Sequence, residues 1–258
     1  MPQVEAGTQF YVGNQLVNIP YLGNQPAAIN PFSYIQPDVI PQAGLQFWLD
    51  PTSYTSSGSN WLAKQGNATG SFTGSYIYSG SNFFNMNTAS IMEFNLTSSL
   101  NYSTQPNTFF VVGRSSGSSD LQHGRLISAK DSNWLMGTYG GGFGAGDELQ
   151  RAYYDNVFVI ADTPYDTQWR VYTSIWQNDS SASFYVNGVW VATSTTAGQS
   201  GMNVPSINNG QYQGVTGGVG GNENKQADYG DIILYNRVLS DAEIAQVYNA
   251  IKGKYGLT

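Results

Sequence analysis

The sequence predicts an all-β fold, a two-sheet antiparallel sandwich with one short C-terminal α-helix, preceded by an extended N-terminal arm. Three observations predict it. From Gly44 onward, short apolar stretches alternate with clusters of Gly, Asn, Asp and Ser, which is typical of strands joined by turns. Asn187-Gly188 suits the positive φ angles of a two-residue hairpin turn. Only at the end of the chain does the apolar spacing change to a helical period.

The composition limits the class of protein. The 258 residues are 40% hydrophobic and 10% charged, with 18 Tyr, 12 Phe and 6 Trp, enough apolar area for a sizeable core. Without cysteine there is no disulfide, thiolate metal site or thiol nucleophile. A net charge of -7, with no Lys or Arg before Lys64, opposes a nucleic-acid partner. We expect a soluble protein without membrane insertion, made without a secretion signal or seen after its removal.

Residues 1–42 are predicted to form the arm. They hold six of the ten prolines and only two charged residues, Glu5 and Asp38. Proline at this frequency excludes a helix and a central strand and favours an extended path. The arm also repeats itself after ten residues, in residues 11–15 (YVGNQ) and 21–25 (YLGNQ). Two copies are too few for a solenoid.

The arm contains more apolar residues than a solvated tail carries. The alternative is a floppy leader, for which Pro and Gln are typical. We expect instead that it lies on another surface, either of its own domain or of a neighbouring subunit. The residues expected to make these assembly contacts are Phe10, Tyr11, Tyr21, Phe32 and Tyr34.

Residues 43–258 are predicted to form the sandwich as one domain. The predicted strands cover residues 44–50, 92–96, 108–114, 125–129, 156–161, 169–177, 181–187, 189–193 and 229–236. Asn187-Gly188 joins two of them as a hairpin. At the end, Ser240 and Glu243 have the spacing of a helix capping box. Ile244, Val247, Tyr248 and Ile251 then follow at helical spacing, and Gly253 predicts the helix end.

Several of these segments resemble the concanavalin A-like, laminin-G-like superfamily. The segments that carry the resemblance are residues 44–50 (GLQFWLD), 91–95 (IMEFN), 108–113 (TFFVVG), 169–178, 184–188 (FYVNG), 230–244 (GDIILYNRVLSDAEI) and 254–257 (KYGL). The resemblance covers residues 43–258 and none of the arm, and it implies a two-sheet jelly roll. That superfamily includes lectins, polysaccharide hydrolases, adhesive modules and virion proteins, and a fold does not select among them.

No catalytic residue is predicted. A retaining glycosidase on this fold would present two carboxylates about 5 Å apart on one strand face, which requires an acid-x-acid spacing. Among 17 acidic residues only Asp241 and Glu243 have it, and the start of the helix explains both. Glu93, the one lone carboxylate of interest, is interpreted as structural. The single His123 has neither a nucleophile motif nor a second histidine nearby, so it is interpreted as facing solvent.

No metal and no cofactor is predicted. Asp50, Asp228 and Asp231 are acidic residues that could join a structural calcium site, but nothing in their spacing demands one. Sugar binding needs an exposed aromatic ring beside hydrogen-bonding groups. The candidates are Trp134, Tyr139, Tyr153 and Tyr154, around a glycine-rich stretch. The alternative is that these four rings belong to the core or to an interface.

Two functions from different classes remain. The first is a non-enzymatic structural or decoration protein of a virion, in a phage capsid or tail, which the arm anchors to other virion proteins or to its own copies in a homo-oligomer. Its displayed sandwich would adhere to a cell-surface glycan. The second is a secreted or cell-surface carbohydrate-binding module with an extracellular location. The arm favours the first, because a free lectin gains little from it. A polysaccharide hydrolase is the least supported alternative.

Overall fold

The protein is described by a computed structural model. It describes residues 10–12, 15–17, 21–22, 25–26, 39–55, 60–66, 68–80, 82–87, 90–96, 106–116, 125–129, 134–139, 149–154, 157–164, 167–177, 181–196, 205–207 and 226–258. The chain divides into two compact units, residues 1–37 and residues 38–258.

The first unit contains two short β-hairpins that coincide with the ten-residue repeat. The strands β1 (Phe10–Val12) and β2 (Gln15–Val17) pair antiparallel, as do β3 (Tyr21–Leu22) and β4 (Gln25–Pro26). In each hairpin the residue before Gly-Asn pairs with the Gln that follows it. The repeat therefore encodes one hairpin twice. This pairing within the extended arm was not predicted.

The second unit begins before the predicted domain boundary at residue 43. Ile40 is fully buried among the apolar residues under the C-terminal helix. The carbonyl of Val39 accepts a hydrogen bond from Gln246 Nε2 at 2.8 Å. Residues 39–42, which sequence analysis assigned to the arm, thus pack as part of the sandwich unit.

Two antiparallel sheets build this unit in the part of the chain that the structure describes. Sheet I has nine strands. They are β5 (Leu45–Leu49), β7 (Gln65–Gly66), β9 (Tyr76–Tyr78), β10 (Phe84–Met86), β12 (Asn107–Ser115), β17 (Arg170–Trp176), β18 (Ala182–Val186), β19 (Val189–Ser194) and β21 (Ala227–Tyr235). Their order is β19-β18-β17-β12-β21-β10-β9, and β5 pairs with both β21 and β7.

Sheet II has eight strands within the same described ranges. They are β6 (Asn60–Leu62), β8 (Ala68–Thr73), β11 (Ile91–Leu96), β13 (Ile127–Ala129), β14 (Trp134–Tyr139), β15 (Leu149–Tyr154), β16 (Val157–Pro164) and β20 (Pro205–Ile207). Their order is β16-β15-β14-β13-β20-β11-β8-β6. The predicted all-β sandwich is confirmed, although sequence analysis missed β6 to β10, β14, β15 and β20.

The sandwich core lies between the two sheets. Sheet I contributes Phe47, Phe84, Phe109 and other buried residues, and sheet II contributes Trp61, Met92, Phe94, Ile127 and Met136. Burying apolar side chains of this size from both sheets supplies the main stabilisation of the unit.

A helix covers the opposite face of sheet I. Helix α1 (Asp241–Ile251) starts with the predicted capping box: Ser240 Oγ accepts from the Glu243 N–H, and Glu243 Oε2 accepts from the Ser240 N–H at 3.0 Å. Its buried side chains Ile244, Val247 and Ile251 pack on outward residues of the sheet. The chain then continues as a 3₁₀ turn, Lys252–Tyr255. No helix among the described residues combines the length and apolar character needed to span a membrane.

Candidate functional site

Trp134, which was predicted as an exposed ring of a sugar-binding site, is buried in the structure. Trp134 is 1% exposed and its indole meets Phe109 edge-on, with ring centroids 5.6 Å apart, inside the sandwich core. Strand pleating explains this, because Trp134 and Met136 alternate toward the core. Tyr139 ends β14, and Tyr153 and Tyr154 end β15. The side chains of these three tyrosines lie outside the described residues, so their role stays a prediction.

Other predicted residues have the following positions. Phe10, Tyr11 and Tyr21 of the arm lie on strands β1 and β3, whereas Phe32, Tyr34 and His123 lie outside the described residues. Glu93 lies half-buried on β11, between the core residues Met92 and Phe94, so it points away from the core.

The most exposed aromatic ring among the described residues belongs to Trp190, which sequence analysis did not select. Its exposed fraction is 57%, and that of the neighbouring Val189 is 67%. The indole Nε1 donates to Thr193 Oγ1 at 3.0 Å, and Thr193 Oγ1 lies 2.8 Å from Ser183 Oγ. The ring is therefore tethered by its N–H beside two hydroxyls, and much of its surface is open to solvent. We call Trp190, Thr193 and Ser183 the indole platform.

The hairpin that carries the indole platform follows from its sequence. Asn187 and Gly188 have φ angles of 52° and 74°, as the predicted two-residue turn requires. Asn187 is fixed on β17, because its N–H donates to the Val171 carbonyl at 2.8 Å and its Oδ1 accepts from the Val171 N–H at 2.9 Å. A register shift follows, so that Tyr185 pairs with Trp190 but Phe184 pairs with Ala192. Such a bulge changes the direction of the edge-strand side chains.

A second aromatic group lies near β9, but its rings are occupied by one another. Tyr54, Phe72, Tyr76 and Tyr78 surround the buried Phe84, and Phe72 stacks on Tyr76 with centroids 4.2 Å apart. Tyr54 and Tyr76 share a hydrogen bond of 2.6 Å between their hydroxyls. Burial, followed by this hydrogen bond, raises the pKa of Tyr54 to about 12. The group packs against the core, and its rings are less exposed than that of Trp190.

The structure also brings together two aspartates that sequence spacing did not connect. Lys254 Nζ lies 2.8 Å from Asp50 Oδ1 and 2.9 Å from Asp231 Oδ2. Asp231 additionally accepts hydrogen bonds of 2.6 Å from Trp48 Nε1 and from the Tyr255 hydroxyl. We call Asp50, Asp231, Lys254 and Tyr255 the lysine clasp.

The lysine clasp is an electrostatic unit with its charges paired inside the fold. Burial opposes ionisation of Asp50, but hydrogen bonds from Lys254 and the Thr52 N–H outweigh it and lower the pKa to about 2. Burial raises the pKa of Asp231, which is fully buried. Burial also disfavours the charge of Lys254, but the two carboxylates outweigh it and raise its pKa. Neighbouring carboxylates commonly separate their pKa values in this way.

This arrangement stabilises the fold and does not offer a free pair of carboxylates. Asp50 and Asp231 are 1% and 0% exposed, and Lys254 occupies the space between them. The third acidic residue considered for calcium, Asp228, accepts hydrogen bonds from Arg114 Nε at 2.7 Å and Asn85 Nδ2 at 2.6 Å. Each of these three carboxylates is thus bound to protein donors. The described residues contain no group of three or more His, Asp or Glu that could hold a metal ion.

Comparison with solved structures finds the same fold in binding domains of toxins. The binding domain of Paraclostridial Mosquitocidal Protein 1 matches with a TM-score of 0.59 and 16% identity, over 83% of this chain and 55% of that one. The receptor binding domain of a botulinum neurotoxin of mosaic serotype C/D matches with 0.59 and 16%, over 83% and 54%.

A Trypanosoma rangeli sialidase in complex with 2,3-difluorosialic acid matches with a TM-score of 0.62 and 14% identity, over 85% of this chain and 34% of the sialidase. The chain has an antiparallel β-sandwich fold. It spans about half the length of the two toxin domains and about a third of the sialidase, and at these identities the likeness shows the fold alone. No family model and no curated protein matches the sequence.

Proposed function

We propose that the chain is a non-enzymatic structural or decoration protein of a virion, in a phage capsid or tail. Its lectin-like sandwich is displayed and adheres to a cell-surface glycan through the indole platform. Its N-terminal arm binds other virion proteins or copies of itself. The observation that carries the adhesive role is the exposed Trp190 ring beside two hydroxyls, since tryptophan combines a large apolar face with a polar handle.

The fold neighbours support a binding role. Two are named as binding or receptor-binding domains, and a third is a sialidase in complex with a sialic acid derivative. The lysine clasp supports the non-enzymatic part of the proposal, because its two aspartates are buried and paired with Lys254. A general acid or base must reach the proton that it transfers.

The adhesive role is tested with Trp190→Ala in the full chain, on an array of cell-surface glycans. We expect binding to fall by about tenfold or more, as for a central aromatic contact, with thermal stability almost unchanged because the ring is exposed. Val189→Ala is the matched control, since this neighbouring side chain is also exposed but is aliphatic. Undiminished binding by the Trp190 variant would remove the indole platform from the proposal.

The assembly role is tested by the solution mass of the full chain and of a chain that starts at Asp38. Starting there keeps Ile40 and the Val39 hydrogen bond, which a start at Gly44 would remove from the folded unit. We expect the full chain to form a defined oligomer and the shortened chain to be a folded monomer. Two folded monomers would instead favour a secreted or cell-surface carbohydrate-binding module, the second candidate function.

A further inference from the structure

Arg114, at the end of β12, has an open guanidinium edge. Its Nε donates to Asp228 Oδ2 at 2.7 Å, and this is the one hydrogen bond that Arg114 makes with the described residues. The terminal nitrogens Nη1 and Nη2 therefore have no acceptor there, and 35% of the side chain is exposed. The two terminal nitrogens of a guanidinium can donate together to both oxygens of one carboxylate.

The position of Arg114 is fixed by its neighbours on sheet I. Arg114, Asp228 and Asn85 lie side by side in register on β12, β21 and β10. Asp228 is buried, and its second oxygen accepts from Asn85 Nδ2 at 2.6 Å. Asn85 Nδ2 also lies 3.0 Å from the hydroxyl of Ser116. The carboxylate holds Nε in place, so the opposite edge of the guanidinium has a defined direction.

Two aromatic rings, which contact each other, lie against the same guanidinium. Arg114 Cζ lies 4.8 Å from the ring centroid of Trp169 and 5.6 Å from that of Phe83. Phe83 and Trp169 meet edge-on, with centroids 5.4 Å apart. Aromatic contact removes water from the flat faces of a guanidinium and strengthens hydrogen bonds made at its edge.

Arg237 shows which group such an edge binds. Its Nη1 donates to Glu243 Oε2 at 3.0 Å while its Nη2 donates to the other oxygen, Oε1. The planar carboxylate thus accepts hydrogen bonds from both terminal nitrogens of Arg237, an arrangement that guanidinium geometry favours. Arg114 presents the same pair of donors with no such carboxylate among the described residues.

We propose that Arg114 binds the carboxylate of an acidic sugar. Ser116 and Asn85 lie beside it as uncharged hydrogen-bonding groups for sugar hydroxyls, and Phe83 provides an apolar edge for the ring. One guanidinium neutralises one carboxylate, and the net charge of -7 opposes a larger polyanion. This site uses other residues on other strands than the indole platform, so it goes beyond the function proposed above.

The test measures binding of 3′-sialyllactose, glucuronic acid and lactose to the full chain by saturation-transfer NMR and calorimetry. We expect both acidic sugars to bind, and lactose to bind at least about tenfold more weakly, because it lacks the charge-assisted pair. Arg114→Lys keeps a charge but loses the paired donors, so affinity for the acidic sugars should fall by about tenfold or more. Arg237→Lys is the matched control and should leave that affinity unchanged, because both terminal nitrogens of Arg237 already donate to Glu243.

A folding defect is separated from a binding defect by the double variant Arg114→Gln with Asp228→Asn. It removes both charges and so leaves no unpaired buried carboxylate. We expect a folded protein that has lost the preference for acidic sugars. The proposal is overturned by equal binding of lactose and the acidic sugars, by full affinity in Arg114→Lys, or by N-acetylglycine binding as tightly as glucuronic acid. Loss of acidic-sugar binding in Trp190→Ala but not in the Arg114 variants would assign that binding to the indole platform and would also overturn the proposal.

Discussion

The two sheets of the sandwich differ in what covers their outward faces. The centre of sheet I is buried on both sides: all nine residues of β21 and eight of the nine in β12 are buried, because α1 packs on the face opposite the core. In sheet II, β8 alternates buried Ala68 and Gly70 with half-exposed Thr69 and Ser71. An outer helix thus turns one sheet surface into interior. Polar groups within that interior then need internal partners.

The lysine clasp is the part of sheet I where this requirement is strongest. Asp231 lies on β21 with no exposed surface, and each of its oxygens accepts from at least two donors. Where a strand face meets water, polar side chains can hydrogen-bond to water instead of to buried partners. The part of the outward face of sheet I that lies under α1 should therefore behave as a second core.

The largest effect is expected for Lys254→Met. The substitution leaves Asp50 and Asp231 buried next to each other without the ammonium between them, which should cost about 3–5 kcal/mol in the free energy of unfolding. Urea unfolding followed by circular dichroism measures it. Lys252→Met is the control, because Lys252 contacts a tyrosine ring and not a carboxylate of the clasp, with Nζ 5.5 Å from the Tyr248 centroid. Similar losses in both variants would contradict a specific role for the clasp.

A second prediction compares outward residues of the two sheets directly. Ile233 of sheet I is fully buried under the helix, whereas Thr73 of sheet II is exposed. Ile233→Ala should destabilise the protein by about 2–5 kcal/mol through lost burial and a cavity, and Thr73→Ala by no more than about 0.5 kcal/mol. Chemical denaturation of both variants gives the two values. Comparable losses would show that the sheets do not differ in the way described.

The third and smallest effect concerns pH. Since the pKa of Asp50 is about 2 in the fold and 3.8 ordinarily, its contribution is complete above pH 3.8 and is lost as pH falls through about 2. It amounts to about 2 kcal/mol. Glu243, whose pKa is lowered to about 2 by Arg237 and Ser240, titrates in the same window. Unfolding free energies measured from pH 5 to pH 2 should therefore fall less steeply in Asp50→Asn than in the unchanged protein. Identical slopes would show that Asp50 is not coupled to folding.

Strand length and burial decide how well a strand can be predicted from its sequence. The long strand β12 of sheet I is buried on both faces, and its sequence contains the apolar run at residues 109–112 (FFVV). Strand β8 (ATGSFT) contains three small polar or hydroxyl residues and a glycine, which resembles a turn more than a strand. Its strand conformation depends on pairing with β11 and β6, and such long-range pairing leaves no local signal.

The sites were harder to predict than the fold for a similar reason. Trp134 and Trp190 both lie on predicted or observed strands, and only the pleat and the register shift decide that the first is buried and the second exposed. The capping box of α1 was predictable because its residues are adjacent in sequence. The lysine clasp was not, because Asp50 and Lys254 come together from positions 204 residues apart.

The pairing of β5 with β21 has a consequence for how the protein folds. Trp48 and Asp231, which share a hydrogen bond across this region, are 183 residues apart. One edge of β5 pairs with β7, which follows soon after it in the chain, whereas the other edge pairs with β21, which is synthesised much later. Contacts between residues this far apart in sequence slow folding, and they leave an apolar strand edge unpaired during translation. Folding in the cell therefore competes with aggregation of the early part of the chain until β21 has been synthesised.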